Sequence, residues 1–186
     1  MPANIEIKAR IEDFAASSAL ASKIADDPKP TVLQQRDTFF NASSGRLKLR
    51  QQLHVSNKGE EFEDSSLTFA ELIAYDRTDD EGPKQSTYSK SKITGDAESL
   101  EKVLGVSCGT KGIVQKVRHL FLVDQTRVHL DKVEGLDGAF LELEVVMKED
   151  QTAEDGKKVA EDLMEKLNVV EADLLAGAYL DMLKKS

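Results

Sequence analysis

The sequence is poor in several residue types, and each shortage excludes a class of protein. It has no tryptophan, a single cysteine and four prolines, and aromatic residues make up only 5%. With Cys108 alone no intrachain disulfide can form, which favours a reducing compartment. No apolar run approaches the ~18 residues of a membrane-spanning helix. The first residues also lack the basic and apolar regions of a signal peptide. We therefore predict a cytoplasmic protein without a membrane partner.

Positive charge is scarce as well. Lysines and arginines number 25 against 34 aspartates and glutamates, giving a formal net charge of −9. Proteins that coat nucleic acids present a basic surface, so we expect no nucleic-acid partner, although a local basic pocket stays compatible with this balance. The length of 186 residues, with 40% hydrophobic and 32% charged residues, predicts one globular domain over 1–186.

Strict alternation of apolar and charged residues marks several strands. In residues 139–146, Ala-Phe-Leu-Glu-Leu-Glu-Val-Val, it places Glu142 and Glu144 on one face and the leucines on the other. The same pattern recurs in residues 4–10, and with basic residues in 46–50. Two interpretations are open: the charged faces meet water on an ordinary sheet, or they line the inside of a barrel.

Turn signals and periodicity predict an α+β chain. The predicted strands are 5–11, 32–40, 46–53, 67–75, 86–93, 113–122, 126–133 and 138–147. The predicted helices are 12–25, 96–104, 153–167 and 171–183, with Asp96 as an N-cap and Gly105 just past the end of its helix. Residues 54–65, including His54, are predicted to be an acidic loop. Eight antiparallel strands can close into a barrel wide enough for one small ligand.

If the apolar faces pack under the helices, the charged faces turn into the barrel. The interior would then carry Glu6, Lys8, Lys48, Arg50, Lys116, Arg118, His129, Asp131, Glu142 and Glu144. Carboxylates on neighbouring strands suit a hard divalent cation such as Mg²⁺ or Mn²⁺. Arginines and lysines suit phosphate oxygens. This pairing is typical of a site for a polyphosphate with its metal. Whether His129 faces the ligand stays open.

The same residues resemble a known family. Asn4-Ile5-Glu6-Ile7-Lys8 stands where the CYTH superfamily has Glu-x-Glu-x-Lys, and further segments resemble its later motifs in the right order: 36–40, 47–50, 75–77, 116–118, 129–131 and 140–144. The CYTH superfamily contains class IV adenylyl cyclases, thiamine triphosphatases and inorganic triphosphatases. The resemblance implies a triphosphate tunnel, a closed eight-stranded antiparallel β-barrel with helices packed outside.

The resemblance also implies roles for individual residues. Phosphate would be held by Lys8, Arg36, Lys48, Arg50, Arg77, Lys116 and Arg118. Mg²⁺ or Mn²⁺ would be held by Glu6, Asp131, Glu142 and Glu144. Lys8 would orient or deprotonate the nucleophile. Asn4 departs from the motif, because it removes one carboxylate from the metal site.

Three functions are compatible with such a lumen. Attack by water would make a metal-dependent hydrolase of tripolyphosphate, thiamine triphosphate or a nucleoside triphosphate. Attack by a ribose hydroxyl would make an adenylyl cyclase that releases cyclic AMP and pyrophosphate. The third is a non-catalytic binding protein for an anionic small molecule, since Asn4 weakens the metal site. The protein is expected to be a monomer or a homodimer.

Overall fold

The computed structural model describes residues 3–55 and 69–185, which form eight strands and four helices. The strands are β1 (Ala3–Ile11), β2 (Thr31–Phe40), β3 (Arg46–Val55), β4 (Phe69–Arg77), β5 (Lys84–Lys92), β6 (Thr110–Val123), β7 (Thr126–Val133) and β8 (Ala139–Val146). The helices are α1 (Phe14–Ile24), α2 (Ala97–Cys108), α3 (Ala153–Lys166) and α4 (Tyr179–Leu183), with a 3₁₀ turn at Glu171–Asp173.

The eight strands form one closed barrel, and every neighbouring pair is antiparallel. Their order around the barrel is β1-β5-β4-β3-β2-β6-β7-β8, and pairing of β8 with β1 completes the circle. This pairing sets Glu6 opposite Glu144 and Lys8 opposite Glu142. The prediction of a closed eight-stranded antiparallel barrel with helices outside is confirmed.

The main hydrophobic core lies outside the barrel, under the helices. The outward residues of β1 and β8, such as Ile5, Ile7 and Leu143, pack with Ala160 and Leu163 of α3. Helix α3 approaches closely at Gly156, where a Cβ atom would lie 2.6 Å from Ile5 Cγ1 and 2.4 Å from Met147 Sδ. Because successive side chains of a strand point to opposite faces, this packing turns the charged alternate residues into the barrel.

Helix α2 begins as predicted but ends later. Asp96 accepts hydrogen bonds from the backbone N–H groups of Glu98 and Ser99, which confirms it as the N-cap. The helix then continues through Gly105 to Cys108 and stops at Gly109, whose φ is +80°. The predicted end at Gly105 is wrong, because the glycine that adopts the terminating conformation is the later one.

The prediction of one continuous helix over 171–183 is wrong, because residues 174–178 between the 3₁₀ turn and α4 are not helical. Leu174 is extended and bridges to Ala9, and the backbone N–H of Leu175 donates to the carbonyl of Lys8 at 2.8 Å. The reason lies in the barrel: β5 pairs with β1 only as far as Glu6, which leaves the later backbone of β1 open to this segment. Helix α4 starts only after Gly177, whose φ is +78°.

The segment predicted as an acidic loop begins as a strand. Strand β3 runs to Val55, so the backbone of His54 belongs to a strand and not to a loop. The remainder of the predicted loop, from residue 56 onward, lies outside the described residues. Within the described ranges, no helix is long and apolar enough to cross a membrane.

Candidate functional site

The barrel encloses a cavity of about 370 Å³ to which all eight strands contribute side chains. Among the described residues, eight basic side chains line it: Lys8, Lys48, Arg50, Arg77, Lys90, Lys116, Arg118 and Arg127. Five acidic side chains also line it: Glu6, Asp37, Glu71, Glu142 and Glu144. The cavity is therefore positively charged, although the chain as a whole carries −9.

One group of cations is organised by a buried aspartate on β2. Asp37 accepts two hydrogen bonds from Arg50, at 2.8 and 2.7 Å, and one from Lys48 at 2.9 Å. Burial by itself would raise the pKa of Asp37, but the charges of Arg50 and Lys48 outweigh it and hold the pKa well below its usual range. The carboxylate stays ionised and fixes both cations at the cavity wall.

A second group repeats this arrangement on β6 and β7. Asp131 accepts hydrogen bonds from Arg118 at 2.7 and 2.6 Å, from Lys116 at 2.9 Å and from the Tyr179 hydroxyl at 3.0 Å. Burial would raise the pKa of Asp131, yet Arg118 and Lys116 keep it well below its usual range. Asp131 is fully buried, so both of its oxygens are engaged inside the wall. The sequence places Asp131 with the metal ligands; in the structure its oxygens hold Arg118 and Lys116, and it is not among the described residues that line the cavity.

Three further carboxylates, Glu6, Glu142 and Glu144, lie side by side on β1 and β8. Burial raises the pKa of Glu6, Arg77 lowers it, and the charges of Glu144 and Glu142 raise it again. The three groups therefore repel one another, which a cation between them would relieve. In the structure Glu6 pairs with Arg77 at 2.9 Å, and Glu142 pairs with Arg118 and with Lys8 at 3.2 Å. Glu144 pairs with Arg127 at 3.0 Å and accepts a hydrogen bond from Asn4 at 2.6 Å.

These carboxylates do not form a ready-made metal centre. Across residues 3–55 and 69–185, no group of three or more His, Cys, Asp or Glu side chains is arranged to hold an ion. Two buried polar atoms beside the carboxylates nevertheless lack a hydrogen-bond partner in the described part of the chain, Asn4 Oδ1 and His129 Nδ1. Oxygen donors from Glu6, Glu142 and Glu144, with Asn4 Oδ1, fit a hard divalent ion once their cationic partners move away.

The C-terminal segment contributes to the site, and the sequence patterns did not reveal this. Lys8 Nζ lies 3.3 Å from the Gly177 carbonyl and 3.9 Å from the centre of the Tyr179 ring. The Gly177 carbonyl also accepts from Arg77 Nη2 at 3.2 Å. Burial lowers the pKa of Lys8, although Glu142 opposes it. A glycine in the middle of a predicted helix was the signal that the helix is interrupted there.

Comparison with known proteins gives the family. A sequence model of the CYTH domain matches residues 2–179. The chain belongs to the CYTH family. Among curated proteins, none matches it significantly.

Solved structures similar to this CYTH domain share its fold at low sequence identity. The PH1819 protein of Pyrococcus horikoshii OT3 is 18% identical with a TM-score of 0.77, covering 98% of both chains. The PH1012 protein of the same organism is 20% identical with a TM-score of 0.75, covering 97% of this chain and 99% of that one. HpAC1 from Hippeastrum, described as a putative adenylyl cyclase with a dominant triphosphatase activity, is 17% identical with a TM-score of 0.58, covering 98% of this chain and 95% of that one.

The position of Arg36 in this CYTH domain differs from the prediction. Its neighbours Gln35 and Asp37 line the cavity, so alternation sends Arg36 to the outer face of β2. There its guanidinium forms a bidentate pair with Glu101 of α2, at 2.6 and 3.0 Å. The expectation that Arg36 holds phosphate in the lumen is contradicted, because that residue fastens a helix to the barrel instead.

The remaining predicted residues meet at one cavity of the CYTH barrel. These are Glu6, Lys8, Lys48, Arg50, Arg77, Lys116, Arg118, Glu142 and Glu144. Sequence reasoning missed Asp37, Arg127 and Tyr179 as members of the site. Arg127 lies on the same face of β7 as the predicted Asp131, so strand periodicity could have found it. Asp37 was missed because the predicted residue of β2, Arg36, lies on the opposite face of that strand. His129 also lines the cavity.

Proposed function

We propose that this CYTH domain is a divalent-metal-dependent hydrolase of triphosphate-containing compounds. The observation that carries the proposal is a positively charged cavity inside a negatively charged chain, with acidic side chains gathered along one wall. An anion of several charges is the ligand that such a cavity favours, and phosphate oxygens match the arginine forks. Tripolyphosphate, thiamine triphosphate and nucleoside triphosphates are all candidate substrates.

The phosphate chain would be bound by the cations that the two aspartates hold. Arg50 is fixed by a bidentate pair with Asp37, which leaves one guanidinium edge for a phosphate oxygen. Arg118 is fixed in the same way by Asp131, and a phosphate oxygen would replace Glu142 as its further partner. Lys48 and Lys116 stand beside them, and Arg77 faces the cavity from β4. Because Asp37 and Asp131 hold these groups in place before the ligand arrives, little side-chain entropy is lost on binding.

The metal ion would be bound by Glu6, Glu142 and Glu144. A bound divalent ion neutralises phosphate charge and polarises the phosphorus–oxygen bond. In the structure these carboxylates are paired with Arg77, Lys8 and Arg118. An arriving triphosphate competes for those cations and releases the carboxylates. Polyphosphate and metal should therefore strengthen each other's binding.

Lys8 is the residue that we place at the reacting oxygen. Its ammonium lies between Glu142 and the Gly177 carbonyl, at 3.2 and 3.3 Å, on the boundary between the acidic and the basic wall. From there Lys8 donates a hydrogen bond that orients the attacking water. The water oxygen bonds to the terminal phosphorus while the bridging bond breaks, and the bridging oxygen leaves with the electron pair. The proton that the water gives up passes to an oxygen of the transferred phosphoryl group. Arg50 and Arg118 stabilise the charge that develops on the leaving phosphate.

A turnover assay tests the proposal. Protein with Mg²⁺ or Mn²⁺ should release orthophosphate from at least one of tripolyphosphate, thiamine triphosphate and ATP, and chelation of the metal should stop the release. Orthophosphate, pyrophosphate and cyclic AMP are measured together. Cyclic AMP and pyrophosphate in equal amounts, without orthophosphate, would instead identify a cyclase.

A second candidate, a non-catalytic binding protein, is favoured by one observation. Asn4 stands beside Glu144, donating to it at 2.6 Å, in the position where the family motif has a carboxylate. A neutral ligand attracts a divalent ion less strongly than a carboxylate. Tight polyphosphate binding without turnover in the wild type, with turnover gained in Asn4→Glu, would establish this alternative.

The pH dependence of binding offers a separate prediction. Burial, together with the neighbouring charge of Arg118, lowers the pKa of Lys116 to about 8, while Asp131 opposes the shift. A bound polyphosphate stabilises the ammonium and raises this pKa in the complex, so binding takes up a proton above pH ~8. Calorimetric tripolyphosphate affinity should fall by up to about tenfold per pH unit there.

The matched variant for this prediction is Lys116→Arg. Arginine keeps its charge across the whole range, so the variant should lose that part of the pH dependence. Comparing both proteins at the same pH values cancels the titration of tripolyphosphate itself. An unchanged slope in Lys116→Arg would assign the dependence to another group.

A further inference from the structure

His129 is the buried side chain of the lumen that the proposed chemistry leaves unused. It lies on β7, directly opposite Glu142 of β8, and is only 5% exposed. Its Nδ1 atom lacks a hydrogen-bond partner within the described residues. A buried imidazole nitrogen without a partner costs free energy, so Nδ1 still has a hydrogen bond to make at the acidic wall.

The distances around His129 suit a metal ion better than hydrogen bonds. Nε2 lies 4.0 Å from Glu144 Oε2, and Nδ1 lies 3.9 Å from Glu142 Oε2. Both separations are too long for a hydrogen bond. Two ligands about 2.1 Å from one ion are about 3.0 Å apart when adjacent in an octahedron and about 4.2 Å apart when opposite. The distance of 4.0 Å between His129 Nε2 and Glu144 Oε2 lies between these two values.

The second ring nitrogen, Nδ1, faces the kind of group that a metal-bound histidine uses as a partner, although the two are not hydrogen-bonded in the structure. Histidine ligands usually donate their other N–H to a carboxylate, which fixes the tautomer and the ring orientation. Nδ1 faces Glu142 in this way, and a shift of less than 1 Å would turn the 3.9 Å separation into a hydrogen bond. Glu142 is itself held by Lys8 and Arg118.

Asn4 and Glu6 complete the surroundings from the other side of Glu144. Asn4 Oδ1 is buried and unpartnered among the residues described, while Glu6 is the direct cross-strand neighbour of Glu144. The ion would therefore meet the three carboxylates of the proposed metal site, one amide oxygen and one imidazole nitrogen. The nitrogen replaces a donor that is missing because Asn4 stands in place of a carboxylate.

We propose that His129 Nε2 is a direct ligand of the divalent ion, next to Glu144, and that it makes the site select Mn²⁺ over Mg²⁺. The inference rests on the proposed function, because it concerns the metal of that same site. Mg²⁺ demands oxygen ligands and near-ideal octahedral geometry. Imidazole suits transition metals, and Mn²⁺ also accepts carboxylates.

Electron paramagnetic resonance of bound Mn²⁺ tests the ligand directly. Wild-type protein saturated with Mn²⁺ and tripolyphosphate should show a hyperfine coupling to one directly bound ¹⁴N nucleus. The coupling should change to that of ¹⁵N when the protein is labelled with [¹⁵N]histidine. This measurement needs neither turnover nor a variant that folds.

Two histidine variants assign the nitrogen. His129→Gln should lose the coupling and bind Mn²⁺ at least about tenfold more weakly, with Mg²⁺ affinity changed less than about threefold. His119→Gln is the matched control, because His119 lies on the neighbouring strand β6 but packs its ring against Phe14 of α1, 5.0 Å away. It should keep both the coupling and the affinity.

The outcomes separate this inference from the proposed function. Mn²⁺ that binds with tripolyphosphate but shows no histidine coupling overturns the His129 assignment and leaves the hydrolase proposal standing. Coupling that persists in His129→Gln also overturns it. If no Mn²⁺ binds even with tripolyphosphate present, the metal-dependent function fails and the His129 inference fails with it.

Discussion

Replacement of Arg50 with glutamine will weaken tripolyphosphate binding by about 10- to 100-fold. Arg50 holds one edge of its guanidinium on Asp37, at 2.8 and 2.7 Å, and faces the cavity with the rest. A charge-assisted hydrogen bond inside a protein contributes about 1.5–3 kcal/mol, which corresponds to this range of affinity. Isothermal titration calorimetry of the free protein with tripolyphosphate measures the effect without requiring turnover.

Arg36→Gln is the matched control for this experiment. Arg36 lies on β2, the strand that pairs with the β3 strand of Arg50, but its guanidinium pairs with Glu101 of α2 on the outer surface. Its replacement should leave the affinity within about twofold, since a partly exposed ion pair contributes little and does not reach the cavity. Equal affinity for wild type and Arg50→Gln would refute a phosphate site in the lumen.

Replacement of Asp131 with asparagine will lower the free energy of unfolding by about 3–5 kcal/mol. Asp131 is fully buried and receives hydrogen bonds from Arg118, Lys116 and Tyr179. Because asparagine is neutral, the buried Arg118 and Lys116 lose the negative charge of Asp131. The NH₂ group of the asparagine would also face hydrogen-bond donors, with which it cannot bond. Urea unfolding followed by circular dichroism measures the loss.

Asp162→Asn provides the comparison, because Asp162 pairs with Lys166 on the surface of α3 at 2.6 Å with both side chains more than half exposed. That variant should change stability by less than about 0.5 kcal/mol.

The ion pairs of Asp131 also predict how the free energy of unfolding depends on pH. The pKa of Asp131 is depressed in the folded protein, so its contribution is present above the unfolded value near 3.8 and is lost as pH falls below it. Asp131→Asn should accordingly flatten the acid limb of the stability profile. A variant as stable as wild type at neutral pH would show that Arg118 and Lys116 do not depend on Asp131.

The ion pairs of the lumen have a consequence for ligand selection. Each cation proposed to hold phosphate is already paired in the structure, Arg77 with Glu6 and Lys8 with Glu142 among them. A ligand that enters must therefore replace the carboxylates as the partners of these cations, and the carboxylates need a new positive partner. A single phosphate has few charges to offer, whereas a triphosphate with a divalent ion satisfies the cations and the carboxylates together.

The amino-acid sequence by itself determined the strands, their inward charge and the family. Alternation is a local property of a strand, so it showed that Lys48 and Arg50, or Glu142 and Glu144, share one face. The resemblance to the family then predicted that this face lies inside a barrel, where the structure places these residues. The order of the motifs along residues 4–147 predicted both the barrel and the family, and both predictions are confirmed.

Only the tertiary structure decided which charged side chains meet. Whether Arg36 faces the lumen depends on the register of β2, and its pairing with Glu101 depends on where α2 packs. Arg118, Lys116 and the distant Tyr179 converge on the oxygens of Asp131, an arrangement that the strand pattern around Asp131 does not show. The path of residues 174–178 depends on an open edge of β1. These are contacts between residues far apart in sequence, which local periodicity does not encode.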